Sequence, residues 1–312
     1  MKITSRKPSS LVLRIFVYLC AATTVGALGF LITYILVKGV PHLSLDLFAW
    51  EYTSDNCSMI PAIINTLQMT VLALFIAVPF GIGSAIYLVE YAKRGNKLVE
   101  LVRITTETLT GIPSIVYGLF GMLFFVNKLQ WRLSVLAGAC TLAIMVLPVI
   151  MRTTEEALLS VPDSYREGSF GLGAGKLRTV FRIVLPAAIP GILSGVILAV
   201  GRIVGETAAL IYTAGTVAGI AMDPFSSGRT LAIHMYCLSS EGMHIDQAYA
   251  TAVILLVLVI FFNLFLSFFN NFFKTIPAFL HIIRILSYYI FLFSNMQAKN
   301  QGKFYTFQDH CY

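Results

Sequence analysis

Two charged residues stand in an otherwise apolar stretch. Arg202 and Glu206 lie within ILAVGRIVGETAALI, residues 197–211. A charge at bilayer depth costs about 2.5–3.5 kcal/mol even on the lenient insertion scale, so such residues persist where they pair or function. At spacing i, i+4 they share a helix face and can neutralise one another. The functional alternative is an anion pathway. A guanidinium presents forked donors that match the oxygens of phosphate, and a carboxylate competing for it would keep the anion from being trapped. Other chemistry is absent. There is no HExxH, no nucleophile elbow and no paired metal ligands, so no catalytic and no metal-binding residues are expected. Gly171, Gly173, Gly175 and Lys176 imitate a phosphate-cradling loop, but Phe170 and Leu177 occupy two positions that the P-loop pattern reserves. His234 and His244 are isolated and read as outer-loop surface residues. The five cysteines (20, 57, 140, 237 and 311) form no CxxC. A Cys57–Cys237 bridge between outer segments stays open, while burial as small hydrophobes suits the cysteines of the apolar runs.

The elements that must carry these residues are membrane spans. The chain has 312 residues, 57% hydrophobic and 12% charged, with mean hydropathy +0.82. Soluble domains carry about 25% charged residues, so a soluble or a disordered protein is excluded. Charge-free runs at 15–37, 63–89, 108–127, 133–151, 183–201 and 248–273 suit a hydrocarbon core of about 30 Å. The expected fold is all-α, an integral membrane protein with six spans. The second run is long enough that it must tilt, project or kink, with Pro79 the candidate kink. Asn65 and Thr66, near its start, read as a helix cap. A seventh run, 275–294, carries His281 and Arg284 and reads as an interfacial helix before a polar end.

Lysines and arginines set the orientation. With the N-terminus inside, inner segments before residue 274 hold 13 of them, and outer segments hold only Lys38, Lys128, Arg132 and Arg229. The net charge of +7 is therefore mostly an orientation signal and gives no reason to expect nucleic acid. The N-terminus is expected in the cytoplasm. Residues 152–182 form an inner segment too long for a tight turn, and apolar Leu158, Leu159 and Val161 argue against disorder.

In that segment Glu167, Gly173, Ile183, Leu185 and Pro186 follow the spacing E-A-A-x3-G-x9-I-x-L-P, and the chain resembles ABC-importer permeases. Over 63–273 it looks like a phosphate permease subunit of the PstA type, in the type I (MetI-like) architecture. Gly168 and Ser169 replace the two alanines. A short helix, a glycine break and a second amphipathic stretch make a knob that a separate ATPase can grip; a solvated basic loop is the plainer alternative. The strings RxxGETAAL from Arg202, GIPSIVYGLFG from Gly111 and LAIHMY from Leu231 are similar to the phosphate-permease signatures. In the Gly111 string, small residues allow close helix approach, and N–H groups beside a broken helix can face an anion.

The resemblance implies a substrate pathway of Arg202, Glu206, Thr207, Ser114 and Tyr117. It implies an ATPase-coupling loop at 152–186 with Arg166, Glu167, Gly168, Gly173, Ile183, Leu185 and Pro186. Residues 1–62 would be a tail, the first span and an outer loop, 63–273 the permease domain, and 274–312 an atypical tail. The chain itself would bind no cofactor, ATP and magnesium being used by an ATPase dimer of the PstB type. The further partners implied are a sister permease of the PstC type, an extracytoplasmic phosphate-binding protein and inorganic phosphate, in a bacterial cytoplasmic (inner) membrane. Sulfate or molybdate as substrate, or an ion-coupled carrier working alone, remain the competing functions.

Overall fold

The computed structural model describes residues 8–93 and 95–273, and among these every regular element is helical. In chain order they are α1 (Pro8–Gly39), α2 (Ile60–Ile86), α3 (Lys97–Thr110), α4 (Ser114–Gly121), α5 (Val135–Leu159), α6 (Asp163–Gly171), α7 (Lys176–Thr179), α8 (Leu185–Val204), α9 (Ala208–Ile211), α10 (Leu231–Glu241) and α11 (Ile245–Phe273). Wider π-helical turns extend α2 over Tyr87–Tyr91 and α4 over Met122–Lys128, and Val180–Val184 joins α7 to α8. The last of these ends just before Leu185-Pro186. Proline has no N–H to continue the i→i−4 ladder, which gives a local reason for the wider turn there.

Five continuous helical stretches are long and apolar enough to cross a bilayer: Val12–His42, Ile60–Tyr91, Val135–Leu159, Lys176–Val204 and Ile245–Phe268. The third expected span, 108–127, is not a straight crossing. It falls on α3 and α4, whose axes bend by 104°. Gly111-Ile112-Pro113 makes the bend: the residue before a proline avoids helical geometry, and Pro113 has ψ 140°. Tyr117 Oη donates to the Leu109 carbonyl at 2.8 Å, tying the two arms across the corner. The α3 arm is amphipathic and capped by Asn96, whose side chain accepts from Leu98 N–H at 3.0 Å.

The segment 152–182 is also not a loop. Helix α5 continues past Arg152 to Leu159, Arg103 of α3 pairs with its Glu155 at 2.6 Å, and most of the rest is helix. Asn65 and Thr66 are not caps, since α2 begins at Ile60 and both are buried. The run 275–294 and the tail lie outside the described residues.

The core lies in three tiers. A middle tier joins α2, α5 and α8 through Met69, Ala73, Leu142, Met145, Ala199 and Ile203, with Tyr117 and Leu210. At the end that carries α6, Ile86, Leu158, Val180, Phe181 and Ile192 form a second. At the end that carries α10, Leu47, Met59, Leu231 and Leu238 form a third. The α10 end is closed by the segment 205–230. Its carbonyls at Thr213, Pro224 and Ser226 accept the N–H groups of Ser134, Leu136 and Val135 at 2.9, 2.9 and 3.0 Å, satisfying the donors that open α5.

Candidate functional site

Arg202 and Glu206 are not paired. Helix α8 stops at Val204 with Gly205 as its C-cap, so the residues do not continue one helical face. Glu206 is 9% exposed, and its Oε1 accepts from the Ala209 N–H at 3.0 Å, capping the short α9. A carboxylate is favoured at such a position because it meets an orphan donor and the positive end of the helix. The i, i+4 neutralisation expected from spacing is thereby removed. Arg202 is half-buried and makes no hydrogen bond or ion pair with another described residue; its charge reaches the Tyr117 phenol. Thr207, half-buried, precedes α9, and its carbonyl accepts from Ile211 N–H at 3.1 Å.

The two helix breaks are brought together. A Cβ on Gly118 would lie 2.7 Å from Ala209 Cα and 2.9 Å from its carbonyl oxygen, so only glycine lets α4 and α9 approach this closely. Ser114, half-buried, is the first residue of α4 beyond the Pro113 break. Tyr117 is 6% exposed and uses its hydroxyl on Leu109. It holds the corner in this structure and presents no free donor.

The residues expected to form the coupling loop build a displayed knob. Helix α6 carries Arg166, Glu167 and Gly168. Gly173 follows with φ +82°, a conformation that suits glycine, and the chain then enters α7. Ser169 Oγ meets Thr179 Oγ1 at 2.8 Å across the knob. Glu167 and Gly168 are exposed. Leu185 turns inward at the start of the following span and is 3% exposed, Pro186 occupies the first turn of α8, and Ile183 is half-buried at the wall of the cleft described next. Between the arms lies an open cleft of about 700 Å³ lined by Tyr165, Ser169, Leu172, Arg178 and Arg182. Leu172 is 91% exposed and Tyr165 and Phe170 are about half exposed, an apolar display of the kind that marks an interaction surface.

Polar contacts that the sequence did not announce complete the picture, with Glu90 the residue that sequence reasoning missed. Arg166 donates from Nε and Nη2 to Glu90 Oε1 at 3.1 and 2.7 Å, from Nη1 to Val161 O at 2.8 Å and Asp163 Oδ1 at 3.2 Å, and from Nη2 to Leu158 O at 3.0 Å. Asn65 donates to the carbonyls of Gly219 (3.0 Å) and Arg229 (3.2 Å) and accepts from Ala221 N–H (3.0 Å), while Thr66 Oγ1 accepts from Leu231 N–H (2.9 Å). His234 is fully buried and not a surface residue. Burial, and secondarily Arg229, pushes its pKa down to about 3. Cys57 and Cys237 are free thiols, so the bridge left open by the sequence is not formed. Burial raises both above the usual thiol range. The signal for Asn65 and Thr66 was present as an amide and a hydroxyl inside a long apolar run. For Glu90 it was a carboxylate at the end of the same run. Among the described residues no cluster of His, Cys, Asp or Glu could hold a metal ion.

Residues 77–275 match the family model of the binding-protein-dependent transport system inner membrane component. The chain is 35% identical over 269 residues to the probable ABC transporter permease protein YqgI of Bacillus subtilis, covering 79% of this chain and 90% of that protein. It is 36% identical over 206 residues to the phosphate transport system permease protein PstA 1 of Mycobacterium tuberculosis, covering 65% and 67%. It is 33% identical over 235 residues to PstA of Haemophilus influenzae, covering 74% and 83%. Among solved structures, it shares its fold with a bacterial ABC transporter involved in the import of the acidic polysaccharide alginate. That match has 17% identity, a TM-score of 0.53 and coverage of 83% of this chain and 98% of that one. It also shares its fold with the inward-facing MetNI methionine ABC transporter, at 20% identity, TM-score 0.51 and coverage of 82% and 97%.

Proposed function

The chain belongs to the binding-protein-dependent transport system inner membrane component family, and from that premise we propose that it forms half of the path of an ATP-driven phosphate importer. It is a multi-pass transporter subunit of the ABC-permease kind. The substrate is read from Arg202. A guanidinium at membrane depth that has no ion pair among the described residues, with Glu206 held at α9, is free to fork onto two oxygens of a passing phosphate. Likeness to phosphate transport permeases supports the same choice. Glu206 belongs to the same proposed pathway as a fixed negative charge at the start of α9, which would disfavour an anion that lingers beside it.

The α6 knob is the surface on which we place an ATPase dimer that uses ATP and magnesium. The α10 end would face an extracytoplasmic phosphate-binding protein, with a sister permease completing the path. The charge count supports a cytoplasmic α6 end and N-terminus, and likeness to bacterial permeases supports a bacterial cytoplasmic membrane as their setting. The test is radiolabelled phosphate uptake into vesicles holding this chain and the subunits that co-purify with it, with and without ATP. Expected is uptake that requires ATP, is competed by unlabelled phosphate but not sulfate, and falls at least tenfold in Arg202→Gln. Uptake indifferent to ATP points to a carrier working alone. Equal competition by sulfate overturns phosphate selectivity, and wild-type uptake in the variant removes Arg202 from the pathway.

A further inference from the structure

Helix α2 with its π-helical extension runs unbroken from Ile60 to Tyr91 and is fastened by buried polar groups near both ends. Near one end, the Asn65 side chain holds the backbone of Gly219, Ala221 and Arg229, and Thr66 accepts from Leu231 N–H, so the segment 216–230 is clasped to α2. Asn65 is fully buried and Thr66 is 1% exposed. The fit leaves no slack: a Cβ on Gly228 would lie 2.7 Å from Asn65 Nδ2.

At the other end, Glu90 belongs to the π-helical turn and meets Arg166 of α6. Their side chains are 8% and 15% exposed. A guanidinium has five N–H donors, and the five acceptor contacts of Arg166 use them all. Two of those contacts bind the carbonyls of Leu158, in the last turn of α5, and of Val161, just beyond it. The side chain thus welds α6, the end of α5 and the end of α2 at one point. Covalently, α6 is joined only to α5 before it and to α7 and α8 after it, and Glu90 supplies its charged link to α2. The π-helical turn matters here because one extra residue per turn rotates the side chains beyond it, and such turns recur at functional positions.

We propose that α2 is a transmission rod between α6 and the segment 216–230, and that Glu90 is the positioning residue that attaches the rod to α6. Glu90 is 25 residue steps along the helix from Asn65, about 37 Å at 1.5 Å rise per residue. A displacement of α6 is carried that distance by a continuous helix packed along α5. The inference rests on the transporter reading above, in which α6 receives the motion of an ATPase. It adds where that motion goes: beyond α8, which is its covalent path, to the segment that closes the opposite end and carries the start of α10.

The experiment uses the assembled complex in vesicles and in nanodiscs. ATP hydrolysis and phosphate uptake are measured together, and hydrogen–deuterium exchange is followed in residues 163–171 and 216–230 with and without ATP and magnesium. In wild type, ATP should change exchange in both segments. In Glu90→Ala, the change in 163–171 should persist and the change in 216–230 should be lost. Phosphate moved per ATP hydrolysed should then fall at least tenfold. Glu90→Gln keeps the length and an acceptor for Arg166 without the charge, and should fall between the two; if the alanine variant does not assemble, the glutamine variant decides by the same readouts. Wild-type coupling and wild-type exchange in 216–230 for the variant overturn the rod. A merely structural Glu90 would lower the yield or thermal stability of the complex while leaving the ratio of transport to hydrolysis intact, and that result also overturns it. If wild type shows no ATP-dependent uptake, the transporter reading fails instead, whatever the variants do.

Discussion

Two arginines near opposite ends of the molecule are buried to similar degrees and solved differently. Arg166, at the α6 end, is the less buried, yet all its donors are met: by Glu90, by Asp163 and by the carbonyls of Leu158 and Val161. Arg229, at the α10 end, is 5% exposed, and its Nε and Nη2 have no acceptor among the described residues. Its guanidinium lies 4.4 Å from the centre of the Tyr52 ring, and its neighbours include the Cys237 thiol and the neutral His234. What is held firmly at the α10 end is the backbone of Arg229: its N–H donates to Val217 O at 2.9 Å and its carbonyl accepts from Asn65. The difference teaches which part of each residue the fold uses. At the α6 end the side chain is the joint; at the α10 end the main chain is, and the side chain mainly fills space against an aromatic ring.

The largest expected effect is therefore at Arg166. Arg166→Met removes a charged partner from buried Glu90 and the donors from two carbonyls, a change that costs about 3–5 kcal/mol when one member of a buried pair is deleted. Thermal unfolding of the purified chain in detergent should show it as a lowered midpoint. The Glu90→Ala,Arg166→Met double variant should recover part of the loss, since the two residues act as one unit. Next comes Asn65→Ala. It strips three hydrogen bonds and leaves the buried Ala221 N–H without its acceptor, at about 1–3 kcal/mol for an unsatisfied group. Proteolysis of the native chain should then shift toward the segment 216–230. An Asn65→Ala chain as stable and as protected as wild type would break the claim that the main chain is the joint at that end.

How far these features were legible in the sequence differs between the two ends for a physical reason. The spans could be read because apolar length is a local property; five of the six runs correspond to continuous helices. The exception, 108–127, falls on a helix pair bent by 104°, and hydropathy does not register direction, although Gly111 and Pro113 stood at the corner. The knob was legible as helix, glycine, helix, but its extent was not: Arg152, Glu155 and Glu156 interrupt the apolar run without interrupting α5, since charged residues are good helix formers once outside lipid. The Arg202–Glu206 relation was misread because i, i+4 spacing assumes an unbroken helix, and Gly205 ends it. Glu90 and Arg166 are 76 residues apart, and Asn65 meets partners more than 150 residues away. No local pattern announces such pairings.

A smaller effect distinguishes the ends by pH. His234 is neutral when folded because its pKa is near 3, whereas an unfolded histidine titrates near its ordinary value of 6.5. Above 6.5 neither state binds the proton, and this contribution to stability is fully present. As pH falls from 6.5 toward 3 the unfolded state takes up a proton that the folded state refuses, and the contribution is lost. At 1.36 kcal/mol per pH unit, the loss by pH 5 is about 2 kcal/mol. His234→Leu should flatten the unfolding midpoint between pH 7 and pH 5. A variant that retains the full slope would assign it to other groups.

The smallest effect expected is at Arg229, and it tests the comparison most directly. Arg229→Met removes a cation–π contact of about 0.5–2 kcal/mol, but it also removes a buried charge with unmet donors, and replacing such groups by well-packed apolar ones is often neutral. The two terms have similar size and opposite sign, so the midpoint should stay within about 1 kcal/mol of wild type, far above that of Arg166→Met. The backbone hydrogen bonds from Arg229 N–H to Val217 and from Asn65 to its carbonyl survive the substitution, and with them the clasp on 216–230. Measuring both arginine variants side by side by thermal unfolding separates the two solutions. If Arg229→Met costs as much as Arg166→Met, the side chain is a joint at both ends, and the guanidinium must then owe its stabilisation to groups other than the described residues.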